Sequence, residues 1–592
     1  MTAPSKYIKA PLIRSDLGRY CDAEFKKLES GIANTIDYFL QAPWIDAVQY
    51  YGLVGDGNKD NSSVFSKIFS GSGKALFFRR GDYITHKFTI PSGTLIYFEP
   101  GTIIRDAGLL GTNERFINII NDDVYIIGRG AKILMDRADY TSGEQRHGVF
   151  IFGARNVIID GLESSDSGGD GFYVGGNTSD PATNIKLLNC LADNNRRQGY
   201  SLVSADNFYM DHCSGTNTTG TGPSAGLDIE PNNTSDILNN IVIKDCYFAN
   251  NDGAGIAIFL GNWNAAANFA DIRIIRPLLK NNAQAFQTGD FNINRLRNTT
   301  QCTGQILIED LTSIAAEHAG LRIINWDKGG TRIKVVRPFI YEANQSGGSA
   351  SNYSPQICLY NDETYTTTPG NVEIIEPKVE YSGSGAAPIN ITNAGSLSTG
   401  WQNVNIYNPD IIASAWGNPI ALPQPKTVRV FRDVEQQVAF TANFSITDGR
   451  YFGRTLTNLG ATGSITVSLP QVTSDRIGWR FTFEVFAAQT FGLGPNGSDK
   501  IVPLADGAAA GTSIKSSTIG SRITIEAKQT GYWHIVDISG LWVINPASGP
   551  QTYSASNVTS DRTYDANSTT LDEVADILGT LINDLRDQGI VR

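Results

Sequence analysis

The chain has 592 residues and a formal net charge of −11, with 60 glycines and only 18% charged residues. This composition is typical of an all-β protein with many turns. The acidic balance argues against a nucleic-acid partner, because phosphate binding needs clustered Lys and Arg. The sequence has neither a run of about 18 apolar residues nor the charged and apolar regions of a secretion signal, so no membrane insertion is predicted.

Residues 1–45 are predicted to form a separate segment with one amphipathic helix. Phe25, Leu28, Ile32, Ile36 and Phe39 fall near helical spacing. The apolar stripe that they form needs a partner, which is either a symmetry mate or another protein.

Residues 46–427 are repetitive, and each repeat contains a glycine followed by two apolar residues at alternate positions. Five such segments begin at Gly171, Gly199, Gly226, Gly255 and Gly320, and the longer interval before the last is interpreted as a degenerate coil over 285–289. Alternate residues of a strand face the same side, which predicts inward columns. One column holds Phe172, Tyr200, Leu227, Ile256 and Leu321, and the other holds Val174, Leu202, Ile229, Ile258 and Ile323.

A second strand pattern precedes each of these segments, and asparagines mark the turns between the two. Asn194 and Asn195 align with Asn250 and Asn251, and stacked Asn side chains at such corners can satisfy one another's hydrogen bonds. Coils of this length with short strands and Asn/Gly turns predict a parallel β-helix, also called a solenoid, with a capping helix near its start.

The C-terminal third changes character. Residues 428–546 alternate strictly between apolar and polar residues, which predicts an antiparallel β-sandwich that serves as a carbohydrate-binding or trimerisation module. Residues 547–592 are predicted to form a linker and a short coiled coil, too short to be stable alone and therefore expected to pack as a trimer. The heptad positions a and d are occupied by Leu571, Val574, Leu578, Leu581 and Leu585.

The cysteines and histidines point away from metal chemistry. Cys190, Cys213 and Cys246 each close a short strand-like run, which predicts a stack of buried free thiols. The sequence lacks a C-x-x-C pair, and the five histidines are too scattered for a metal triad. No metal and no cofactor are predicted.

The clearest catalytic candidates are Asp228 and Glu230. They flank the inward Ile229, so both point outward from one strand with Cα atoms roughly 6.5–7 Å apart. Glycoside hydrolysis needs two carboxyl groups, one to protonate the leaving oxygen and one to act as base or nucleophile. The sequence-based assignment is Glu230 as general acid and Asp228 as base; the alternative is a solvated acidic strand face.

Further candidates surround this pair in the repeat alignment. Asp252 is a third catalytic candidate, and Glu317 aligns with it and with Arg196 as a substrate-binding candidate. Arg196 and Arg197 could hold a carboxylate or phosphate of a sugar chain, or could instead belong to an ion-pair ladder. Asp170 could extend a subsite, or could be a turn residue.

Three more residues are predicted to bind substrate. Tyr173 and Trp263 could stack against sugar rings. Trp263 belongs to an irregular insertion over 261–270, and its alternative role is to fill a buried loop. Arg322 shares the outward column of Asp228.

Several segments resemble known families. The run 51–60 (YGLVGDGNKD) is similar to the opening motif of the pectate-lyase superfamily, in which a capping helix follows, here over 62–69. The next strand in that pattern carries a proline that 78–83 (FRRGDY) lacks. The runs 195–203 and 215–232 look like segments of phage and bacterial polysaccharide-active β-helix proteins. The tail 561–580 is similar to the C-terminal end of phage fibre and tailspike proteins, and the sandwich motifs at 531–534 (GYWH) and 540–542 (GLW) resemble their C-terminal modules.

The resemblance implies a bacteriophage tailspike with a right-handed parallel β-helix. Such a protein would be a homotrimer on the virion tail, attached through its N-terminal segment to a tail or baseplate protein. It would act at the outer surface of the host bacterium as an endoglycosidase on O-antigen or capsule. A lyase acting on a uronic-acid glycan, kept open by Arg196 and Arg197, and a non-catalytic glycan-binding adhesin are the alternatives.

Overall fold

The computed structural model describes residues 44–177, 179–263, 269–294, 302–362, 368–393, 400–413, 420–421, 428–431, 436–447, 451, 454–504, 510–546 and 570–587. The predicted N-terminal helix and the linker over 547–569 lie outside these residues. The chain divides into two compact units. The first comprises residues 1–324, 330–332 and 339–348, and the second comprises residues 325–329, 333–338 and 349–592.

The first unit is a parallel β-helix whose coils carry three strands each, which we call the first, second and third faces. One coil runs through Ala182–Leu188, Leu191–Asp193 and Tyr200–Leu202. Each strand pairs in parallel with its counterpart in the next coil, as Leu191 does with Ser214. The predicted solenoid is therefore confirmed for these coils.

The strands of the first unit are as follows. The first face contains Ile45–Asp46, Ala75–Phe78, Leu95–Phe98, Ala182–Leu188, Ala205–Asp211, Leu238–Lys244, Phe269–Ile275 and Thr303–Glu309. The second face contains Asp56–Asp60, Asp82–Thr85, Ile103–Asp106, Leu191–Asp193, Ser214–Thr216, Tyr247–Ala249, Leu278–Lys280, Thr312–Ile314 and Phe339–Tyr341. Two long strands, Val124–Leu134 and Arg155–Ser165, contribute to both faces. The third face contains Phe88–Thr89, Ile117–Ile119, Val149–Phe152, Phe172–Gly175, Tyr200–Leu202, Leu227–Ile229, Ile256–Phe259, Gly289–Asn294 and Ala319–Ile324.

The third face carries the predicted inward columns in register. Phe172 pairs with Tyr200, Tyr200 with Leu227, and Leu227 with Ile256. The glycine before each of these strands is required by close packing, because a Cβ on Gly199 would lie 2.5 Å from a backbone oxygen of the next coil.

The degenerate coil lies elsewhere than predicted. Its third-face strand is Gly289–Asn294 rather than 285–289, and Phe291 stands in the column between Ile256 and Leu321. The alignment missed it because Gly289 precedes the apolar residue by two positions, whereas in the other coils the glycine precedes it by one.

Buried asparagines form the predicted hydrogen-bonded turns. Asn195 and Asn251 are both fully buried. Their Oδ1 atoms accept from the backbone N–H of Ser167 at 3.0 Å and of Thr218 at 2.9 Å, one coil away in each case. Asn251 also donates to Oδ1 of Asn282 at 2.7 Å, so the amides link successive coils.

The predicted stack of free thiols is confirmed. Cys190, Cys213 and Cys246 are all buried and unpaired by disulfides. The backbone N–H of Cys190 lies 3.4 Å from Sγ of Cys213. Burial raises the pKa of the Cys213 thiol far above its usual range, so this stack belongs to the core.

Two short helices stand near the start of the first unit. Ala47–Tyr51 is capped by Asp46, whose carboxylate accepts from the N–H of Val48. Ser62–Ile68 is the predicted capping helix, and its Phe65 packs 5.1 Å from the ring of Phe88. A 3₁₀ turn spans Arg137–Asp139.

The second unit begins with further coils of the same kind. Their strands are Arg332–Val336, Gly370–Ile375, Gln402–Tyr407 and Val428–Phe431; Lys378–Glu380 and Asp410–Ile412; and Ile357–Asn361, Ile389–Asn393 and Ile420–Ala421. Val404 pairs in parallel with Val428. The predicted boundary at 428 is therefore early, because 428–431 still completes a coil.

The described strands between 436 and 546 have mixed directions, rather than the antiparallel arrangement that was predicted; Ile501, for example, pairs in parallel with Trp533. Leu456 pairs in parallel with Phe483, whereas Phe483 pairs in antiparallel with Ile523. Alternation of apolar and polar residues marks a half-buried strand but does not encode its direction, which explains the error. The strands are Gln436–Ala439, Phe444–Ser445, Arg454–Thr457, Ile465–Ser468, Arg480–Glu484, Phe491–Gly494, Lys500–Val502, Gly511–Ser516, Arg522–Gln529, Tyr532–Ser539 and Val543–Pro546, with a 3₁₀ turn over Ser474–Arg476.

The C-terminal heptad region is a helix, Leu571–Asp587. Thr570 and Glu573 form a reciprocal cap, in which each side chain accepts from the other residue's backbone N–H. The heptad residues Leu571 and Leu578 are 91% and 55% exposed, so their apolar stripe is uncovered in the single chain. Across the described parts of the chain, every helix falls short of the length and apolarity that a membrane crossing requires.

Candidate functional site

Asp228 and Glu230 border a cavity of about 150 Å³ on the third face of the first unit. Asp228 is almost fully buried, at 3% exposure, whereas Glu230 is partly exposed. The cavity is lined by Glu144, Gln145, Tyr173, Arg197, Ser201, Val203, Asp228, Glu230 and Asn232. The sequence-predicted acid pair therefore lies in a pocket rather than on an open strand face.

The register explains why a pocket forms at this strand. Asp228 pairs with Ser201 on one side and with Ala257 on the other. Both neighbours have small side chains, and strands stack about 4.8 Å apart, so space remains around the carboxyl group. Tyr173, two coils before Asp228, closes the pocket from that side.

The electrostatics of the pair favour a proton on Asp228. Burial raises the pKa of Asp228 well above its usual range, and the neighbouring carboxyl of Glu230 raises it further. The guanidinium of Arg197 acts in the opposite direction. Burial and the neighbouring carboxyl groups together therefore favour the protonated form of Asp228.

Gln198 fixes the carboxyl of Asp228 from behind. Its Nε2 donates to Oδ2 of Asp228 at 3.0 Å. Its Oε1 accepts from the backbone N–H of Ala225 at 2.7 Å. Gln198 is fully buried, so this bridge is shielded from water.

Arg197 is held by acids before any ligand arrives. Its Nη1 lies 3.2 Å from Oδ2 of the buried Asp170, and its Nε lies 3.4 Å from Oε2 of Glu144. Ser201 donates to the same Asp170 oxygen at 2.8 Å. Asp170 raises the pKa of Arg197 above its ordinary value, so the guanidinium stays charged.

His147 stands on the other side of Asp170 and is uncharged at neutral pH. Burial lowers the pKa of His147 to about 4. Its Nδ1 accepts from the backbone N–H of Asp170 at 3.0 Å, and its ring stacks on Tyr173 at 4.8 Å. Burial also raises the pKa of Tyr173 to about 12, so its hydroxyl remains protonated.

The structure brings five of the predicted site residues together. Asp228, Glu230, Arg197 and Tyr173 line the cavity, and Asp170 lies directly behind Arg197.

Arg196 is engaged elsewhere, because its guanidinium donates to the carbonyls of Thr141 at 3.0 Å, Gly168 at 3.2 Å and Gly143. The predicted grip of Arg196 on a sugar carboxylate is therefore replaced by contacts that hold the backbone of neighbouring turns.

Asp252 and Glu317 occupy the turn position of Arg196 in later coils, as the alignment predicted. The backbone N–H of Arg196 donates to Ser167, that of Asp252 to Thr218, and that of Glu317 to Asn282. Neither Asp252 nor Glu317 lines the cavity, so sharing a turn position does not place them beside the acid pair.

Trp263 and Arg322 are buried rather than displayed. Trp263 is 1% exposed, which fits the alternative that it fills the interior beneath its loop. Arg322 shares the outward column of Asp228 but is 8% exposed, and its Nη1 donates to Oδ1 of Asn292 at 3.1 Å. Both residues lie outside the lining of the cavity.

The sequence-based search missed Gln198 and His147. In five successive coils the residue before the glycine of the third-face strand is buried, and these residues are His147, Asp170, Gln198, Ala225 and Ala254. His147, Asp170 and Gln198 are polar, whereas the other two residues of this column are alanines. This difference could have indicated a functional site from the sequence. Asp170 was predicted as a subsite or turn residue, but the repeat alignment did not compare it with His147 and Gln198.

A cluster with metal-binding potential lies away from this site. Donor atoms of Asp211, His212 and Asp245 lie within 4.8 Å of one another. Asp245, however, forms an ion pair with Arg276 at 2.6 Å and another with Lys244 at 3.3 Å. Ion pairing thus accounts for the cluster without a bound cation.

The fold and the pocket define a class: a parallel β-helix protein with an acidic cavity on one face. Residues 111–300 match the family described as "Right handed beta helix region". The SPbeta prophage-derived uncharacterized protein YorA of Bacillus subtilis (strain 168) is 23% identical over 208 residues, covering 31% of this chain and 35% of that protein. The aligned part thus spans about a third of the length of that relative.

Two solved structures are similar at low identity. The A-module of mannuronan C-5 epimerase AlgE4 from Azotobacter vinelandii is 14% identical with a TM-score of 0.46, and the match covers 65% of this chain and 99% of that module. The Dettilon tailspike protein (gp208) is 14% identical with a TM-score of 0.42, and the match covers 86% of this chain and 83% of that protein.

Proposed function

We propose that this chain is a phage tailspike that binds a bacterial surface polysaccharide, O-antigen or capsule, and hydrolyses its glycosidic bonds with the pair Asp228 and Glu230. The observation that carries the proposal is a buried carboxyl of raised pKa beside a second, more accessible carboxyl in one cavity. Perturbed acids in a cleft are typical of acid–base catalysis.

The roles of the two acids are the reverse of the sequence-based assignment. Asp228 is the general acid, because burial raises its pKa and so favours its protonated form. It protonates the departing glycosidic oxygen as the bond to the anomeric carbon breaks. Glu230, at the more exposed position, takes a proton from the water that attacks the anomeric carbon.

The reaction requires Glu230 to move. The carboxyl groups now lie within hydrogen-bonding reach, whereas glycosidases hold theirs about 5–9.5 Å apart. Asp228 is fixed by Gln198, so the entering sugar displaces the partly exposed Glu230. Tyr173, which also lines the cavity, offers an aromatic edge to the sugar.

A polysaccharide lyase is the second candidate, and the observation that favours it is a charged Arg197 in the cavity lining. Against it, Arg197 is already neutralised by Asp170 and Glu144, and Arg196 is bound to backbone carbonyls. A uronate would meet a cavity in which acids outnumber cations, so hydrolysis of a glycan without uronate at this subsite is the better fit. A non-catalytic adhesin is the remaining alternative.

The assembly of the virion protein is part of the same proposal. The exposed stripe of the helix Leu571–Asp587 is proposed to pack against two further copies of this chain in a homotrimer. The segment 1–45 is proposed to attach the trimer to a tail or baseplate protein. The spike then presents its cavity at the outer surface of the host.

The test is incubation of the full-length protein with purified O-antigen and capsular polysaccharides of its host strains, followed by mass spectrometry of the products. Hydrolysis adds one water for each bond cut, whereas a lyase leaves an unsaturated sugar that absorbs ultraviolet light. Asp228→Asn and Glu230→Gln should each lower the rate by about 10²–10⁴-fold, because each removes one acid–base group.

Asp206→Asn is the matched control. Asp206 is a first-face acid that accepts from Asn239 at 2.8 Å, away from the cavity. It should retain the wild-type rate. Full activity of Asp228→Asn would rule out this site, and a wild type that binds but never degrades its glycan would establish the adhesin.

A further inference from the structure

Gln198 contacts Asp228 through its Nε2 atom, and the orientation of its amide group is fixed. A backbone N–H can only donate, so the oxygen of the Gln198 amide has to face Ala225. The NH₂ group is thereby turned to Oδ2 of Asp228. A flipped amide would place donor against donor and acceptor against acceptor, so burial locks the orientation.

We propose that Gln198 is a positioning residue that confines the reactive proton of Asp228 to Oδ1, the oxygen that the amide does not bind. In a protonated carboxyl group the carbonyl oxygen accepts an N–H more strongly than the hydroxyl oxygen does. The bond from Gln198 therefore favours Oδ2 as the carbonyl oxygen and Oδ1 as the oxygen that carries the proton. This inference rests on the proposed role of Asp228 as general acid.

The same contact acts after the proton has left. The Oδ1 proton passes to the glycosidic oxygen, and the negative charge that remains on Asp228 is stabilised by the N–H of Gln198. The other charged groups that act on Asp228 are Glu230 and Asp170, which raise its pKa, and Arg197, which lowers it. Arg197 and Asp170 are paired with each other at 3.2 Å, so their effects oppose one another.

The test is Gln198→Glu in the full-length chain. The substitution keeps an oxygen for the N–H of Ala225 but replaces the donor toward Asp228 with a second oxygen acceptor. The folded state must then hold an extra proton, and that contribution to stability is present below about pH 4, the unfolded carboxyl range, and is lost as the pH rises. The melting temperature of the variant should fall progressively below that of the wild type between about pH 4 and pH 8.

The dependence on Asp228 is the decisive part of the test. With Asp228→Asn in place, the new amide can donate to the substituted side chain, so the pH-dependent gap should shrink. The same gap in both backgrounds would overturn the proposal, because Gln198 would then act on the fold alone.

The matched control is Asn195→Asp. Asn195 is a buried amide in the same turn, which accepts from Ser167 at 3.0 Å and donates to the carbonyl of Ser164 at 3.1 Å. Any stability loss in this variant should be insensitive to Asp228→Asn. A loss that depends equally on Asp228 would show only general charge crowding and would also overturn the proposal.

Activity gives a second readout that separates this inference from the proposed function. On a polysaccharide that the wild type cleaves, Gln198→Glu should move the basic limb of the kcat profile up by about one pH unit or more. An Asp228-dependent gap in a protein that cuts no glycan would retain the positioning role and reject the glycosidase. If the wild type cleaves the glycan, but Gln198→Glu shows neither the Asp228-dependent difference in melting temperature nor a shift of the basic limb of the kcat profile, the glycosidase is retained and the role of Gln198 is rejected.

Discussion

The strand Leu227–Ile229 and its neighbour Ile256–Phe259 have the same backbone register and different chemistry. Their inward residues are all aliphatic and fully buried, whereas the outward Asp228 of the first faces Ala257 of the second. The first strand has the buried Gln198 behind it and Arg197 beside it. The difference shows that the solenoid constrains its inward columns and leaves its outward columns free to carry a site.

The largest expected effect comes from the ion pair between Arg197 and Asp170, which lies beside the strand Leu227–Ile229. Arg197→Ala should lower the free energy of unfolding by about 3–5 kcal/mol, because it leaves the buried Asp170 without its cation. Arg196→Ala, which removes contacts to exposed turn carbonyls, should cost about 1–2 kcal/mol. Urea denaturation of both variants measures the difference; equal losses would mean that Asp170 is compensated elsewhere.

Substitutions of the inward residues should destabilise the protein equally in the two strands. Ile229→Ala and Ile258→Ala should each cost about 2–5 kcal/mol of unfolding free energy, since both side chains are fully buried in the same column. The comparison of the two losses by urea denaturation is the test. A loss at Ile229 far smaller than at Ile258 would show that the acid-bearing coil is already loosened for function.

The stability of the protein should depend on pH through Asp228, whereas Ala257 at the paired position of the next strand has no group to titrate. The raised pKa of Asp228 means that the folded state binds a proton more tightly than the unfolded state. Its contribution is complete below the unfolded pKa and is lost as the pH rises through the folded pKa, at about 1.4 kcal/mol per pH unit in that window. Asp228→Asn should flatten this part of the curve in thermal unfolding measured across pH.

Part of the dependence of the unfolding free energy on pH should remain in the Asp228→Asn variant. Burial raises the pKa of Asp290 to about 7, which gives a contribution of the same sign. An unchanged curve in the variant would contradict the assignment of a raised pKa to Asp228.

The smallest effect on the solenoid should come from the C-terminal helix. Leu578→Asp should abolish the proposed trimer, because it places a charge on the exposed heptad stripe, and should change the unfolding of the coils by less than about 0.5 kcal/mol. Light scattering gives the mass of the particle. A trimer that persists would assign assembly to another surface.

The sequence predicted the coils and the outward acids because both follow from a period-two pattern repeated at near-constant spacing. Asp228 could be placed between Ser201 and Ala257 by alignment alone, and the structure has that register. The contacts of Arg196 could not be predicted, since a long side chain can reach several turns and the alignment gives only its starting point. Strand direction after residue 436 was also beyond the pattern, because alternation is the same in parallel and antiparallel sheets.

The buried hydrogen bonds around Asp228 could not be predicted from the sequence for a different reason. Gln198 acts on Asp228 from another coil, and the geometry depends on which end of an amide meets a backbone N–H. Only the polar column His147, Asp170 and Gln198 could have indicated it.

The stacked asparagine turns hold successive coils at one fixed offset, linked amide to amide as in Asn251 and Asn282. The outward side chains of the first unit therefore have regular positions. Equivalent residues of neighbouring coils lie about 4.8 Å apart, and the place of a residue along its strand fixes its other coordinate. Substitutions at these outward positions can then change the chemistry of the surface, while the backbone that carries them stays the same.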